Sequence, residues 1–294
     1  MVKRYGELYL QARRALLPTE GENASLAARE LLAFASEKSA AAVMADSNLY
    51  ASEQIEEKLK NYVNRMLAHE PLPYILGQWD FYGLTFEVCP DVLIPRDDTM
   101  AVTDLAIEAL RTRAEPQRAL DLCTGSGCIG LAIAHQLPST RVTLADISRP
   151  ALAVAKRNIK RLKLQNRVTA IGLDARKRAP GFVGALDVLV CNPPYVTAEE
   201  MQLLEPSVRE FEPALALDGG RDGLDFYRAI LENYTHLIVS GGYVCFEFGL
   251  GQHVAVSMLM QEYGYTELTF RKDLRGVIRA VRGKKKSENG KTNV

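Results

Sequence analysis

From Arg118 onward, the sequence alternates short apolar runs with longer amphipathic stretches. The apolar runs predict buried strands, and the amphipathic stretches, whose apolar residues recur at helical spacing, predict the helices between them. Such alternation is typical of a mostly parallel α/β sheet with helices on both faces. We expect strands at 119–122, 141–145, 168–173, 186–191 and 242–248, and a closing C-terminal pair at 266–270 and 277–281.

The first 73 residues follow a different pattern. Their apolar residues repeat at helical spacing, and glycine and proline are nearly absent between Asn23 and Glu70. This pattern predicts a small N-terminal helical bundle domain at 1–73 instead of a further strand-and-helix unit. A bundle ahead of an enzyme domain either docks a substrate protein or serves as scaffold, and the sequence leaves both roles open.

The segment 74–97 joins the two regions. Gly77 and Gly83 predict turns, and Leu84, Phe86 and Val88 alternate with polar residues as they do in a strand. We therefore predict a β-hairpin linker at 74–97 and a main domain at 98–283. The last residues, 284–294, begin with three lysines and contain few apolar side chains, so we expect a basic, flexible tail there.

Composition and charge argue against several classes of protein. The 36 basic residues balance the 36 acidic ones, which argues against a protein held mainly by nucleic-acid phosphates. No apolar run is long enough to span a membrane, and the charged N-terminus is unlike a signal peptide. The five cysteines form no C-x-x-C pair and the four histidines are scattered, so we expect a cytoplasmic protein with reduced thiols and no metal site.

A glycine-rich turn follows the first strand predicted for the main domain. Residues 125–130 match the pattern G-x-G-x-x-G between a strand and a helix. Glycine allows a sharp turn and the close approach of a ligand, and the helix N-terminus offers free N–H groups. Asp146 ends the next strand 19 residues after Gly127, where its carboxylate can accept hydrogen bonds from two ribose hydroxyls. These features fit a nicotinamide dinucleotide, and they also fit S-adenosyl-L-methionine.

Three further positions favour the methyl donor over the dinucleotide. Asp121 lies at the end of the first strand, where an acid suits an ammonium and a sulfonium group but would repel a pyrophosphate. Asp174 ends the third strand, within reach of an adenine amino group. Asn192 follows the fourth strand, and ligands of such sheets bind outside the carboxyl ends of strands. We therefore predict a Rossmann-like sheet that binds S-adenosyl-L-methionine and releases S-adenosyl-L-homocysteine.

The fourth strand is followed directly by the corner Asn192-Pro193-Pro194-Tyr195. The prolines fix the backbone and lack an N–H, so the corner combines carbonyl acceptors with one amide side chain and one aromatic ring. Such a corner can hold a planar NH2 group, because the Asn192 amide oxygen and a proline carbonyl can each accept one hydrogen while Tyr195 covers the plane. The alternative is a proline turn that ends a strand and places a tyrosine in the core.

Several segments together resemble the protein-(glutamine-N5) methyltransferase family. The resemblance covers about residues 5–283, and it joins the glycine turn and the corner to distinctive linker and loop motifs. The corner alone is shared with amino-directed DNA methyltransferases, whereas the combination is much more specific. The matching segments are EPLPYILG (70–77), FYGL (81–84), LIPR (93–96), DLCTGSG (121–127), NPPY (192–195), FEP (211–213) and GLDFY (223–227).

The resemblance implies a class I S-adenosylmethionine-dependent methyltransferase that modifies the side-chain amide N5 of the glutamine in the Gly-Gly-Gln motif of class 1 peptide chain release factors. It implies a donor site formed by the glycine turn, Asp146 and Asn192, and a substrate cleft roofed by the segments around Phe81 and Arg96. The residues implied to hold the glutamine are Asn192, Pro193, Pro194 and Tyr195, of which Asn192, Pro193 and Tyr195 are the predicted catalytic ones. The predicted donor-site residues are Asp121, Cys123, Thr124, Gly125, Ser126, Gly127, Asp146, Asp174 and Asn192.

Some positions depart from the pattern of the family. Asp97 stands where members usually carry proline, Met100 where an acid is common, and Ala175 where an aromatic residue can follow the third-strand acid. Sister enzymes that methylate a ribosomal protein remain an alternative. A DNA adenine-N6 methyltransferase is a further one, although the balanced charge and the short bundle disfavour it. We expect a monomer that requires no nucleic acid.

Overall fold

The computed structural model describes residues 2–286 and forms two compact units. The first unit comprises Met1–Gln78 together with Glu205–Phe211, and the second comprises Trp79–Leu204 together with Glu212–Val294. The chain therefore leaves the second unit once, for seven residues, before it returns. The sequence pattern does not predict this excursion, and the domain boundaries drawn from it remain predictions.

The first unit is helical, as its sequence pattern predicts. Ser39 and Ser52 begin two of the helices, because their hydroxyls accept hydrogen bonds from the N–H groups of Ala42 and Ile55. The apolar stripes of the first two helices meet in a core in which Leu16 and Leu31 are fully buried. The helices are α1 (Tyr5–Glu20), α2 (Ala24–Ser36), α3 (Ala40–Ala45), α4 (Glu53–Leu67) and α5 (Leu72–Leu76).

The predicted linker hairpin is present. Strands β1 (Gln78–Phe81) and β2 (Leu84–Glu87) pair as a two-stranded sheet. Tyr82 and Gly83 form the turn with positive φ angles of 54° and 75°. Phe81 and Phe86 point inward from the hairpin and are buried in the core of the second unit, with their ring centroids 6.3 Å apart.

The second unit is built on one seven-stranded sheet with the order β5-β4-β3-β6-β7-β9-β8. Strands β3 to β7 are parallel, and β9 is antiparallel to both of its neighbours. This architecture confirms the predicted α/β fold with its closing C-terminal pair. The strands are β3 (Arg118–Leu122), β4 (Arg141–Asp146), β5 (Val168–Gly172), β6 (Leu186–Cys191), β7 (Ile238–Glu247), β8 (Tyr265–Lys272) and β9 (Ile278–Lys285).

Helices cover both faces of this sheet. One face packs against α6 (Met100–Arg111), α7 (Cys128–Gln136) and α8 (Arg149–Arg161), and the other face packs against the two helices α10 (Asp225–Tyr234) and α11 (His253–Glu262). The remaining helix, α9 (Pro206–Phe211), belongs to the first unit. The sheet changes winding direction beside β3, which lies between β4 and β6. Ligands of open α/β sheets bind at such a switch point.

Two strand bounds differ from the sequence expectation by four residues. Strand β7 begins at Ile238, four residues before the predicted start, because its pairing with β6 shifts register between Leu186 and Val188. Gly241 and Gly242 fall in this irregularity, and Gly241 has a φ angle of 68°, so the strand continues through these glycines with a bulge. Strand β9 runs through Lys285, so the first residues of the predicted tail are paired, and residues 287–294 lie outside the described part.

Within residues 2–286, no helix has both the length and the apolar character needed to cross a membrane.

Asn158 of α8 connects the hairpin to the glycine turn. Its Oδ1 accepts a hydrogen bond from the Glu87 N–H at 2.7 Å. Its Nδ2 donates to the carbonyls of Glu87 and Ser126 at 3.0 and 2.9 Å. The side chain is fully buried, so water cannot replace these bonds if they are removed.

We expect Asn158→Ala to lower the free energy of unfolding by about 2–3 kcal/mol, because one buried and two partly buried backbone groups lose their partner. Urea unfolding followed by circular dichroism measures this change. Asn166→Ala, an exposed amide on the loop after α8, is the matched control and should change the unfolding free energy by less than about 0.5 kcal/mol. Equal effects of the two substitutions would contradict this role of Asn158.

Candidate active site

A cleft opens at the carboxyl ends of β3, β4, β5 and β6, and it encloses about 960 Å³ including the solvent at its mouth. Two loops, at 91–99 and 213–216, complete its walls. The cleft therefore lies where the sequence analysis expects a ligand. The predicted site residues that line it are Arg96, Cys123, Thr124, Gly125, Ser126, Asp146, Asp174, Asn192 and Pro194.

The glycine turn has a backbone that most residue types would strain. Cys123, Gly125 and Gly127 have positive φ angles of 59°, 54° and 86°. Gly130 is required for a different reason, because a Cβ atom at this position would lie 2.3 Å from Leu144 Cδ2. The first turn of α7 can therefore approach the sheet closely. Gly127 begins this helix and faces the core, so the structure does not place it in the cleft wall.

Asp121 lies beneath this turn and does not line the cleft, contrary to the sequence expectation. Its carboxyl is fully buried, and its Oδ2 accepts hydrogen bonds from Thr124 Oγ1 at 2.5 Å and from the Gly130 N–H at 2.9 Å. Oδ1 is buried without a hydrogen-bond partner within residues 2–286. Burial raises the pKa of Asp121 to about 7, although the Thr124 and Gly130 donors act in the opposite direction. Asp121 thus stabilises the glycine turn through hydrogen bonds on the side away from the cleft.

Asp146 does line the cleft, and two backbone N–H groups orient its carboxylate. Oδ2 accepts from Gly125 and Oδ1 accepts from Ser148, each at 2.9 Å. Burial raises the pKa of Asp146, and the backbone donors lower it in part. Each oxygen of a carboxylate can accept more than one hydrogen bond, so both remain able to accept from a ligand in the cleft.

The segment after β5 contributes an apolar side of the cleft. Leu173, Ala175 and Phe226 line it together with Asp174. The Arg176 guanidinium lies 5.6 Å from the centroid of the Phe226 ring. The Asp174 carboxylate caps its own turn, because Oδ1 accepts from the Arg176 N–H at 2.9 Å, and its second oxygen, Oδ2, lies 3.8 Å from Lys177 Nζ.

The corner after β6 separates the cleft from a second hollow. Asn192 and Pro194 face the cleft, whereas Pro193 is buried and Tyr195 lines the hollow on the other side. A Cβ atom on Gly249 would lie 3.1 Å from Tyr195 Cδ2, so the glycine makes room for the ring. The other residues that line this hollow are Val196, Glu200, Leu203, Leu204, Gly249, Leu250, Gln252 and Arg279.

The roof of the cleft depends on an ion pair that the sequence pattern does not predict, between an exposed arginine and a buried glutamate. The Arg96 guanidinium pairs with Glu212 Oε1, and Glu212 Oε2 accepts from the Ile94 N–H at 3.2 Å. This pair joins the loop 91–99 to the loop 213–216. The second predicted roof residue, Phe81, is only 1% exposed and does not reach the cleft, because the hairpin turns its ring into the core.

Glu247 and Thr99 are further polar residues next to the cleft that sequence reasoning missed. Asn192 Nδ2 donates to Thr99 Oγ1 at 3.4 Å. Glu247, at the end of β7, is 2% exposed, and its carboxyl faces both Thr99 and Asn192. The rule that singled out Asp121, Asp146 and Asp174, an acid at the end of an apolar strand, applies equally to Glu247 and would have identified it.

Comparison with known proteins follows the division of the chain. Residues 7–77 match the family described as PrmC N-terminal domain, and residues 97–219 match the family described as Methyltransferase small domain. A release factor glutamine methyltransferase of Geobacter sulfurreducens is 40% identical over 225 residues, which are 76% of this chain and 77% of that protein. One of Bradyrhizobium diazoefficiens is 34% identical over 267 residues, which are 90% of this chain and 89% of that protein.

A solved structure of the hMettl16 catalytic domain, in complex with MAT2A 3'UTR hairpin 1, has a similar fold. It matches with a TM-score of 0.56 and 16% identity over 69% of this chain and 75% of that chain. At this level of identity the likeness concerns the fold alone.

The buried carboxyl of Asp121 predicts a pH dependence of stability. Its pKa rises from 3.8 to about 7 in the folded protein, so at intermediate pH the folded protein keeps a proton that the unfolded chain has released. Raising the pH through this window therefore lowers the free energy of unfolding, by at most about 1.4 kcal/mol per pH unit for one group. Asp121→Asn should make this slope shallower, as measured by urea unfolding over a series of pH values. Glu247, whose pKa is also raised to about 7, keeps part of the slope in the variant. Identical slopes for the two proteins would contradict the assignment to Asp121.

Proposed function

The chain belongs to the family of release factor glutamine methyltransferases, and we propose from its site which residues carry that reaction. The enzyme transfers a methyl group from S-adenosyl-L-methionine to a glutamine side chain of a release factor. The target is N5 of the glutamine in the Gly-Gly-Gln motif of class 1 peptide chain release factors. One observation supports this best. Asn192, the first residue of the corner that can hold an NH2 group, lines the same cleft as the glycine turn and Asp146.

The residues of the cleft fit S-adenosyl-L-methionine. The Asp146 carboxylate, oriented by the N–H groups of Gly125 and Ser148, suits a pair of vicinal ribose hydroxyls. The Ser126 hydroxyl is buried without a hydrogen-bond partner among the described residues, as expected of a group that awaits a ligand. Leu173, Ala175 and the ring of Phe226 offer the apolar surface that a purine needs. Asp121 contributes by fixing the turn, since Thr124 and Gly130 both bond to it.

When bound, S-adenosyl-L-methionine supplies an electrophilic methyl group on a positively charged sulfur. The chain's own residues must therefore present a nitrogen, and an amide nitrogen is a poor nucleophile because its lone pair is delocalised into the carbonyl. The Asn192 Oδ1 atom and a backbone carbonyl of the corner, assigned to Pro193, accept the two N–H hydrogens of the glutamine and orient its nitrogen. Alignment of two bound reactants contributes as much as about 7–11 kcal/mol to a reaction of this kind. The nitrogen gains the methyl group as the bond between that methyl and the sulfur breaks, S-adenosyl-L-homocysteine leaves, and one N–H proton passes to solvent.

The hollow beyond the corner suits the approach of the substrate. It is bordered by Tyr195 and by the apolar side chains of Leu203, Leu204 and Leu250, so a glutamine and its glycine neighbours can reach the corner from this side. The aromatic ring of Tyr195 forms a flat wall for the amide plane. A protein substrate fits the balanced charge of the chain better than DNA does, because it requires no basic groove. In this proposal the enzyme acts as a monomer and requires no nucleic acid. It works in the cytoplasm, where the release factors are.

Mass spectrometry of a class 1 release factor after incubation with the enzyme and S-adenosyl-L-methionine tests the function directly. We expect one added methyl group, located on the glutamine of the Gly-Gly-Gln motif. Asn192→Ala should abolish this product, because the amide acceptor is lost, while the donor still binds within about threefold of the original affinity in calorimetry. Methylation at another residue, or near-normal turnover by the variant, would overturn the assignment.

Asp146→Ala should weaken donor binding at least about tenfold, because a charged acceptor of two hydroxyl hydrogen bonds is removed. Isothermal titration calorimetry measures this dissociation constant without requiring turnover. Asp80→Asn is the control, since Asp80 lies on the hairpin, where it accepts from Thr85 Oγ1 and does not line the cleft. An unchanged donor affinity in Asp146→Ala would remove Asp146 from the donor site.

A further inference from the structure

Glu247 stands directly beside the residue that holds the substrate amide. The parallel register of β6 and β7 pairs Cys191 with Phe246, so the next residues along the two strands, Asn192 and Glu247, are neighbours where the strands end. Glu247 is 2% exposed and does not line the cleft. Its carboxyl therefore acts on Asn192 from behind and has no access to a bound substrate.

The hydrogen-bonding groups around Asn192 have a defined direction. Its Nδ2 donates to Thr99 Oγ1 at 3.4 Å, and both the Thr99 hydroxyl and the Asn192 amide donate toward the Glu247 carboxyl. Thr99 is itself held in place, because its carbonyl accepts from Thr103 Oγ1 at 3.0 Å and its side chain is buried. In its ionised form the Glu247 carboxyl can only accept, so it selects the NH2 end of the amide and rejects the oxygen end.

The placement of this carboxyl is costly, which indicates that it serves a purpose. Glu247 Oε2 is buried without a hydrogen-bond partner within residues 2–286. Burial raises the pKa of Glu247 to about 7. Asp98 raises this pKa further and Arg279 lowers it, and the other titratable groups that face Glu247 are Tyr195, Tyr227 and Cys128. A core position would be filled more favourably by an apolar side chain.

We propose that Glu247, together with Thr99, is a positioning residue that fixes the side-chain amide of Asn192 with its NH2 group toward the protein and its Oδ1 atom toward the substrate. The proposal rests on the proposed function and explains how its key residue is oriented. An amide that is free to turn by half a rotation would present its own NH2 group to the NH2 group of the glutamine. Two donors would then face each other, and the substrate nitrogen would lose one of its two acceptors.

The proposal makes the identities of residues 192 and 247 interdependent. A carboxylate at position 192 needs no orientation, because either oxygen can accept from the substrate. Beside Glu247, however, this carboxylate would be next to a second buried carboxylate, and two like charges in contact repel each other. Exchanging the two functional groups, with Asn192→Asp and Glu247→Gln in one protein, restores an amide donor facing a carboxylate acceptor.

The first measurement is the turnover number of Glu247→Met, which keeps the length of the side chain but removes its acceptors. We expect kcat to fall about tenfold to a hundredfold, as expected for a misoriented catalytic group, while the dissociation constant of S-adenosyl-L-methionine changes by less than about threefold. An unchanged kcat would overturn the proposal. A merely structural role of Glu247 would lower the unfolding temperature and the donor affinity together, without a specific loss of kcat.

The second measurement is a double-mutant cycle. Asn192→Asp should lose most of its activity, and adding Glu247→Gln should recover at least about tenfold of it. The matched control adds Asp187→Asn instead, which converts a carboxyl to an amide at the opposite end of β6, where Asp187 pairs with Arg113 at 3.1 Å, and this control should recover nothing. Absence of recovery with Glu247→Gln, or equal recovery with both partners, would overturn the proposal.

The unsubstituted enzyme separates this inference from the proposed function. If it fails to methylate the release factor while it still binds S-adenosyl-L-methionine, the assigned substrate is wrong. If it methylates the release factor and the cycle shows no recovery, the substrate assignment stands and the positioning role of Glu247 falls.

Discussion

The whole site depends on a carboxyl that no ligand reaches. Asp121 lies one residue before the end of β3, and it accepts from Thr124 at the start of the glycine turn and from Gly130 in the helix that follows it. These two bonds close a turn whose backbone angles are otherwise unfavourable for most residue types. Because the turn is held from below, its N–H groups are free to orient Asp146 on the neighbouring strand. Asp121 and Gly125 thus order this wall of the cleft through hydrogen bonds within the chain.

Carboxyl groups at three strand ends serve the cleft in three different ways. Asp146 is held by backbone N–H groups and faces the cleft, so it can act directly on a ligand. Asp121 and Glu247 are buried behind the wall, each with one oxygen that has no partner in the described part of the chain, and burial raises the pKa of each to about 7. Parallel strands bring these carboxyl groups to one edge of the sheet. A carboxyl at the cleft surface can contact a ligand, whereas one buried behind the surface can only orient a neighbouring group.

Sequence alone could predict the strand ends, because buried strands leave apolar runs and the ligand edge of such a sheet is fixed by topology. It located Asp146, the glycine turn and Asn192 correctly at the cleft. It could not show that Asp121 lies behind the turn, since the sequence pattern does not reveal how far a side chain at a strand end lies from the cleft surface. Phe81 was misplaced for a related reason, because an aromatic residue at a hairpin suits a core and a cleft equally. Nothing in the sequence pattern links Thr99 to Asn192, and only the fold shows that the Thr99 hydroxyl accepts from the Asn192 amide.

The surroundings of Asn192 also explain why an amide occupies this position. As an acceptor toward the substrate, a carboxylate would serve as well as an amide oxygen. The difference lies on the other side, where Glu247 offers only acceptors in a site that excludes water. A second carboxylate there would be repelled, whereas an amide satisfies Glu247 and Thr99 with its NH2 group and keeps its oxygen for the substrate. In the proposed mechanism, the identity of the residue that contacts the substrate is therefore determined by the residues behind it.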